Sequence, residues 1–430
     1  MSNSLPRPLD KTSIEKIISE KSIVFHFQPI ISAGKKRIIG YEGLMRGFDV
    51  QTNTLISPLM LFDAAKRYDL LLEFDRLCRE ECLRSFRDKI YFLDEGQILF
   101  LNYEISLIQT GDEGASFMIN LLNELDVSPN NVVIEIIESK VKEINGLQKF
   151  IDILKYYGFL IALDDVGVGH SNFDRIPIVK PNIIKIDRSI IKGIERDYYK
   201  QEVFKALVNL CKKIGALVLA EGVETMREVI GTLTMGADLL QGYYFSKPLD
   251  TMFSDIRHGL FEKVNKAITL YNRNAIERLR RSRKDHEMYD RFVERLVEKL
   301  KGLEEEGFQA ILQEEILKTD FIDSLFVLDK KGIQVTETVM VYNINKPKNL
   351  LFRPAKKGDD LSSKEYFYLL VHTGLKKYIT DSYISHASGN RCRTISVCFQ
   401  GAGGLLYILC VDIIETSQYY HKRLLDELEH

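Results

Sequence analysis

Six short apolar runs punctuate the first 250 residues, and each ends on a polar side chain able to hold a cation or face a phosphate. ILFL precedes Asn102, NVVI precedes Glu135, LIAL precedes Asp164 and Asp165, PNII precedes Lys185, LVLA precedes Glu221 and ADLL precedes Gln241. Apolar runs this short, separated by segments of helical periodicity, read as parallel strands buried on both faces. A functional group at the C-terminal end of strand after strand is how a (β/α)-barrel builds one site from distant segments. Carboxylates dominate the set, so hard oxygen ligands converge on one mouth and point to a metal site.

The rest of the chain supports that architecture and adds to it. SIVFHFQPII and RIIGYEGLM read as two strands joined by a turn at Ser32–Lys36, and helical patterns follow over 57–86 and near 144–157, 198–214 and 225–235. Eight candidate strands with intervening helices favour a closed barrel over an open doubly wound sheet. No GxGxxG follows the first strand, as a dinucleotide fold requires. The expected fold class is α/β, a (β/α)8 TIM-like barrel over residues 1–255.

From 256 to 318 the texture changes to long helix, with Val264, Ile268, Tyr271, Ala275 and Leu279, then Tyr289, Phe292, Leu296, Leu300 and Leu303, spaced mostly three or four apart. This reads as a charged amphipathic linker, with a signalling helix or dimer seam as the sharper alternative; the stripe is too interrupted for a coiled coil. In residues 319–430, DSLFVLDKKGIQVTETV reads as a hairpin turning at Asp329–Gly332. YITDSYISHASGNRCRTISVCF and GGLLYILCVDI add strands, with turn signals at Gly389–Asn390 and Gly401–Gly404. A small α+β domain with an antiparallel sheet after a long helix resembles a PAS- or Cache-like sensor, which would take a small intracellular ligand; a dimerisation or scaffold domain is the equal alternative.

Composition narrows the function classes. A formal charge of -2 over 430 residues argues against gripping a nucleic acid polymer through a basic face. It leaves a small phosphate ligand open, because bound metal ions supply positive charge. Cys78, Cys82, Cys211, Cys392, Cys398 and Cys410 show no CxxC or zinc-finger spacing and read as free cytosolic thiols. The opening MSNSLPRPLDKTSIEKII lacks an apolar signal core, and no stretch approaches the roughly 18 apolar residues of a membrane span. A cytoplasmic protein without a membrane span is expected.

Taken in order, Glu42-Gly43-Leu44 with Arg46, IEIIE at 134–138, DDVGVGHSN at 164–172, KIDRS at 185–189, AEGVET at 220–225 and QGYYFSKPL at 241–249 resemble the EAL-domain cyclic di-GMP phosphodiesterases. The resemblance covers roughly residues 20–250. It implies a two-metal site for Mg2+ or Mn2+, in which Glu42, Asn102, Glu135 and Asp164 hold the first ion. Asp164 bridges to the second, and Asp165 and Glu221 complete its shell. Two such ions lower the pKa of a water and clamp the charge that develops during in-line attack on a phosphodiester. Lys185 then stands near the nucleophilic water, as its general base or, since metal-bound water needs little further activation, as its orienter, and Gln241 joins the same cluster. Arg46 suits a substrate phosphate, and Gln28, Leu44, Asp187 and Pro248 fall on the substrate side. Glu138 anchors the loop Val166–Ser171, where Gly167 and Gly169 permit a tight path, and ties it to a homodimer interface.

Two departures from the family pattern stand out. The signature reads Glu-Gly-Leu, with a glycine in place of the middle alanine. The loop reads DDVGVGHSN where many active members have DDFGTGYSS, so Val166, Val168 and His170 alter its packing. His170 reads as a loop side chain, and no histidine shows HxxxH or HExxH spacing. One expectation is therefore an enzyme that linearises cyclic di-GMP to pGpG under control of a C-terminal sensor. The alternative is a catalytically weak or inactive receptor that binds cyclic di-GMP and signals through the linker helix. Retained Glu42, Glu138, Lys185 and Glu221 favour the enzyme, and the altered loop favours the receptor. No GGDEF-like string accompanies either.

Overall fold

All six apolar runs form strands, and pairing order converts them into a closed barrel. The computed structural model describes residues 9–49, 54–91, 96–107, 112–137, 144–167, 173–249, 257–340, 353–385 and 388–415. It divides into two compact units, Met1–Ile276 and Glu277–His430.

The first unit contains β1 (Ile23–Ser32), β2 (Arg37–Asp49), β3 (Thr54–Ile56), β4 (Ile98–Asn102), β5 (Val132–Ile137), β6 (Leu160–Val166), β7 (Ile183–Ile186), β8 (Leu217–Ala220) and β9 (Leu239–Leu240). They pair in the order β1-β9-β8-β7-β6-β5-β4-β2-β3, and a β1–β2 pairing closes the ring, leaving β3 as an appendage of β2. From β2 through β9 the barrel strands run parallel. β1 is antiparallel to both its neighbours, which departs from a regular (β/α)8 barrel. The cause is local: only Ala33–Lys36 join β1 to β2, and a parallel crossover needs a dozen residues or more.

Helices cover the barrel because each presents an apolar stripe. Tyr198–Ile214 buries Phe204, Leu207, Val208 and Cys211 at helical spacing, starts where Asp197 accepts from the Lys200 amide, and ends at Gly215 in the left-handed region. Met226–Met235 opens with a reciprocal capping box between Thr225 and Glu228. Inside the barrel, Ile30, Phe100, Val133, Ala162, Ile183, Leu219 and Leu239 form their own apolar cluster. This cluster is a floor, one residue per strand; in β2 the position belongs to Gly40, where a Cβ would lie 2.2 Å from the Ile98 carbonyl oxygen. The helix Arg257–Leu300 contributes Leu260, Val264, Ala267 and Ile268 to this unit's core.

The second unit is an antiparallel sheet of β10 (Ile322–Asp329), β11 (Val339–Met340), β12 (Lys377–Ile379), β13 (Tyr383–Ile384), β14 (Arg391–Gln400) and β15 (Leu406–Ile414). The order is β11-β10-β15-β14-β12, with β13 also on β14. Phe292, Leu296 and Leu300 cover one face together with Phe308, Leu312 and Ile316 of the helix Glu305–Ile316. Phe367 and Leu370 of Glu365–Thr373 cover the other. The helical stretch expected as one element is two, broken at Gly302, whose φ of 71° ends the longer helix. The Asp329–Gly332 turn forms, with the Gly332 amide donating to Asp329 O. Its return arm bridges β10 at Leu328–Gln334, with the Val335 amide donating to the Val327 carbonyl, and forms a regular strand at Val339–Met340. Among the described residues no helix is long and apolar enough to cross a membrane.

Candidate metal centre

Each apolar floor residue in a parallel strand is followed two positions later by a polar one. Gly40 is followed by Glu42, Phe100 by Asn102, Val133 by Glu135, Ala162 by Asp164, Ile183 by Lys185, Leu219 by Glu221 and Leu239 by Gln241. In β1, which runs the other way, Gln28 precedes Ile30. The pleat returns a side chain to the same face every second residue. The eight barrel strands therefore deliver eight polar groups to one layer above the floor, at the mouth formed by the C-terminal strand ends.

Lys185 stands at the centre of that layer. Its Nζ lies 2.5 Å from Glu135 Oε1, 2.7 Å from Glu221 Oε1, 3.1 Å from Asp164 Oδ1 and 3.8 Å from Glu42 Oε1. Glu42 is held from the other side: Gln241 Nε2 donates to its Oε2 at 2.6 Å and Asn102 Nδ2 to its Oε1 at 3.2 Å. Gln241 Nε2 also donates to Gln28 Oε1 at 3.1 Å, and Gln28 Nε2 donates to the Ser246 carbonyl at 3.0 Å. Glu135 is fully buried and Lys185 nearly so.

The charge in this layer does not balance. Glu42, Glu135, Asp164, Asp165 and Glu221 place five carboxylates around one ammonium. Burial pushes the Glu135 carboxyl well above the usual range, and the adjacent Glu42 adds to it. Burial likewise pushes Glu221 well up, against the pull of Lys185. Asp165 is raised by burial and then by Asp164. Burial alone would lower the Lys185 amine, but Asp164, Glu135, Glu221 and Glu42 together hold it well above its ordinary value. Glu135 Oε2 and Gln241 Oε1 are buried without a hydrogen-bond partner. Buried charges persist when paired or bound to metal, so these acceptors and the surplus negative charge fit divalent cations with oxygen-ligand preference.

Asp165 reaches the site through a backbone irregularity. Pairing between β6 and β7 shifts register between Leu163 and Val166, and Asp165 adopts a left-handed φ of 57°. In an unbroken strand, consecutive residues face opposite sides; the bulge turns both aspartates toward one centre. Carboxylate oxygens of Asp164, Asp165 and Glu221 lie within 4.8 Å of one another. A left-handed aspartate costs roughly 1–2 kcal/mol, a strain typical of functional sites.

The other candidate residues lie on or beside the strands that carry the ring. Leu44 and Arg46 continue along β2 on the face that carries Glu42, both half-buried, and Arg46 Nη1 donates to the Met45 carbonyl at 2.6 Å. Asp187 caps Arg188–Ile191, accepting from the Ser189 amide at 2.6 Å. Pro248 is half-buried beside Leu249, whose backbone pairs with Phe27 next to Gln28. Glu138 and residues 168–172, including Gly169 and His170, lie outside the described residues.

The glycine at position 43 has a structural reason that its sequence neighbours do not reveal. A Cβ there would lie 2.3 Å from Cys82 Sγ, on the covering helix Leu71–Phe86. The bulky thiol and the missing methyl share one space behind Glu42.

Fold and site together define a closed α/β barrel with a carboxylate-lined mouth around a buried lysine. Residues 11–248 match the model of the EAL domain, and the chain belongs to that family. It is 26% identical over 405 residues to YkuI, an uncharacterized EAL-domain containing protein of Bacillus subtilis strain 168, spanning 90% of this chain and 93% of that protein. It is also 26% identical over 246 residues to the probable cyclic di-GMP phosphodiesterase PdeG of Escherichia coli K12, covering 55% of this chain and 46% of that protein. The crystal structure of Bacillus subtilis YkuI in complex with c-di-GMP and calcium has a TM-score of 0.75 at 24% identity, covering 95% of this chain and 100% of that one. That likeness establishes a shared fold.

Proposed function

We propose that this chain hydrolyses cyclic di-GMP to linear pGpG at the barrel mouth, using two divalent ions, Mg2+ or Mn2+. The observation that carries the reading is the ring itself, with five carboxylates against one ammonium and buried oxygens of Glu135 and Gln241 left without partners. Glu42, Asn102, Glu135 and Asp164 would hold one ion, and Asp164, Asp165 and Glu221 the other. Bound there, such ions supply Lewis acidity toward the phosphodiester and an acidified water.

The protein's own groups do the rest. Lys185, an ammonium with three donors and no acceptor, orients the attacking water and balances charge among the carboxylates. Gln241 and Gln28 fix the Glu42 carboxylate through their amides. Arg46, on the same strand face, offers a guanidinium fork to a substrate phosphate. Leu44, Asp187 and Pro248 line the substrate side, and Glu138 ties the following loop to a homodimer contact. The second unit serves as a PAS- or Cache-like sensor for a small ligand, in a cytoplasmic protein. The match to a named phosphodiesterase supports the reaction class.

Purified protein incubated with cyclic di-GMP and Mg2+ or Mn2+ should form pGpG, and Glu42→Ala should abolish it. The departures at Val166, Val168 and His170 favour a second reading, a receptor that binds without turnover. Tight binding without product in either metal would select the receptor.

A further inference from the structure

One lysine outside the ring is connected to it through a single backbone segment, bonded at one carbonyl pair by the lysine and at the next carbonyl by Gln28. Lys263 lies on Arg257–Leu300, between Leu260 and Val264, which anchor that part of the helix in the barrel core. Its Nζ donates to the carbonyls of Tyr244 at 3.1 Å and Phe245 at 3.0 Å. Those residues belong to the segment that leaves Gln241. The segment is tightly wound: the Phe245 and Ser246 amides both return to the Gly242 carbonyl, at 3.1 and 3.2 Å. Gly242 passes so close to its neighbour that a Cβ would sit 2.1 Å from the Val223 carbonyl oxygen.

The next carbonyl along, that of Ser246, accepts from Gln28 Nε2; Gln28 Oε1 accepts from Gln241 Nε2; and Gln241 Nε2 donates to Glu42 Oε2. Leu249 and Phe27 exchange both backbone hydrogen bonds, at 2.7 and 3.1 Å, so the far end of the segment is stitched to β1. Gln28 has one buried amide with which to set the position of Gln241, and that amide depends on where the Ser246 carbonyl lies.

We propose that Lys263 is a positioning residue for the metal ring: it pins the 242–246 segment, which sets Gln28 and Gln241 and through them the Glu42 carboxylate. The inference rests on the metal-binding reading of the ring. Lys263 touches neither metal nor substrate and acts only through the two glutamines. An ammonium bonded to two carbonyls at a turn is suited to this, since hydrogen bonds to a charged donor are roughly twice as strong as neutral ones.

Mn2+ titration of the full chain, followed by electron paramagnetic resonance, tests transmission to the ring. Lys263→Met should weaken Mn2+ binding about three- to tenfold, and Lys263→Arg, which keeps a charged donor, should stay within about twofold. In a Gln28→Leu background the same Lys263→Met change should alter affinity by less than about twofold. An equal loss in both backgrounds, or no loss in either, overturns the proposal. Hydrogen exchange in the presence of a chelator tests the same connection without metal. Lys263→Met should speed exchange in peptides covering 242–249 and also in those covering 25–30. Faster exchange in the first set alone, or in neither, overturns the proposal. If the wild-type chain takes up no Mn2+, the metal reading falls by itself, and hydrogen exchange still decides whether Lys263 positions the glutamines.

Discussion

Changing Gly43 to alanine restores the usual Glu-Ala-Leu signature, yet in this chain it should destabilise the protein. The added methyl would stand 2.3 Å from Cys82 Sγ, while Leu99 Cδ1 and Phe27 Cε1 are both at 3.6 Å. Comfortable carbon contacts lie near 3.5–4.0 Å, so the thiol alone obstructs. Cys82 is fully buried in the C-terminal half of Leu71–Phe86 and has little room to retreat. Overpacking of this kind costs about 1–3 kcal/mol. Cys82→Ala alone leaves a small void, worth about 1–2 kcal/mol. In the double variant the new methyl fills the space the sulfur vacates. Stability should then return to within about 1 kcal/mol of wild type, where simple addition would give a loss of about 2–5 kcal/mol. Urea unfolding followed by circular dichroism measures all four corners of the cycle. Mn2+ titration of the same proteins shows whether Glu42, the adjacent residue, moves with the clash. Additivity to within about 0.5 kcal/mol would refute a steric exchange between residues 43 and 82, and with it the account of why glycine stands in the signature.

Two further outcomes follow from buried charge. Glu135→Gln imitates the protonated carboxyl that burial and Glu42 favour; without metal its stability should match or exceed wild type, while Mn2+ affinity falls at least about tenfold, and a metal-free loss as large as the metal-bound one would contradict this. The buried pair Asp75–Arg79, with Arg79 Nη2 2.6 Å from Asp75 Oδ2, makes the pH prediction. Burial raises the Asp75 pKa from 3.8 to about 6, with Arg79 offsetting only part of the shift. The folded state thus binds more protons than the unfolded between those values. The Asp75 contribution is fully present below pH 3.8 and is lost as pH rises through about 6. The stability difference between wild type and Asp75→Asn should therefore fall by about 2 kcal/mol from pH 4 to pH 7, read from urea titrations along that range, and a flat difference would count against it.

Much of the barrel is readable in the chain because strand periodicity is a local property. Runs such as ILFL and LIAL declare buried strands, and the residue after each run falls on a predictable face of the pleat. Asn102, Glu135, Asp164, Lys185, Glu221 and Gln241 could thus be assigned to one layer without knowing which strand neighbours which. Short turns are readable for the same reason, as at Asp329–Gly332 and between β1 and β2.

Other features depended on contacts between residues far apart in sequence. That β1 enters the barrel antiparallel, and so offers Gln28 ahead of Ile30, follows from ring closure between β1, β2 and β9. Asp165 joins Asp164 because pairing between β6 and β7 slips by a bulge, a matter of the partner strand. The thiol behind Gly43 arrives on a helix about forty residues later, and Lys263 meets the 244–245 carbonyls because its own helix is anchored by Leu260 and Val264. Local sequence determines the face a side chain occupies, since φ and ψ repeat every two or 3.6 residues. Which groups meet on that face, and with how much unbalanced charge, is decided only when the barrel closes and brings distant strands within hydrogen-bond reach.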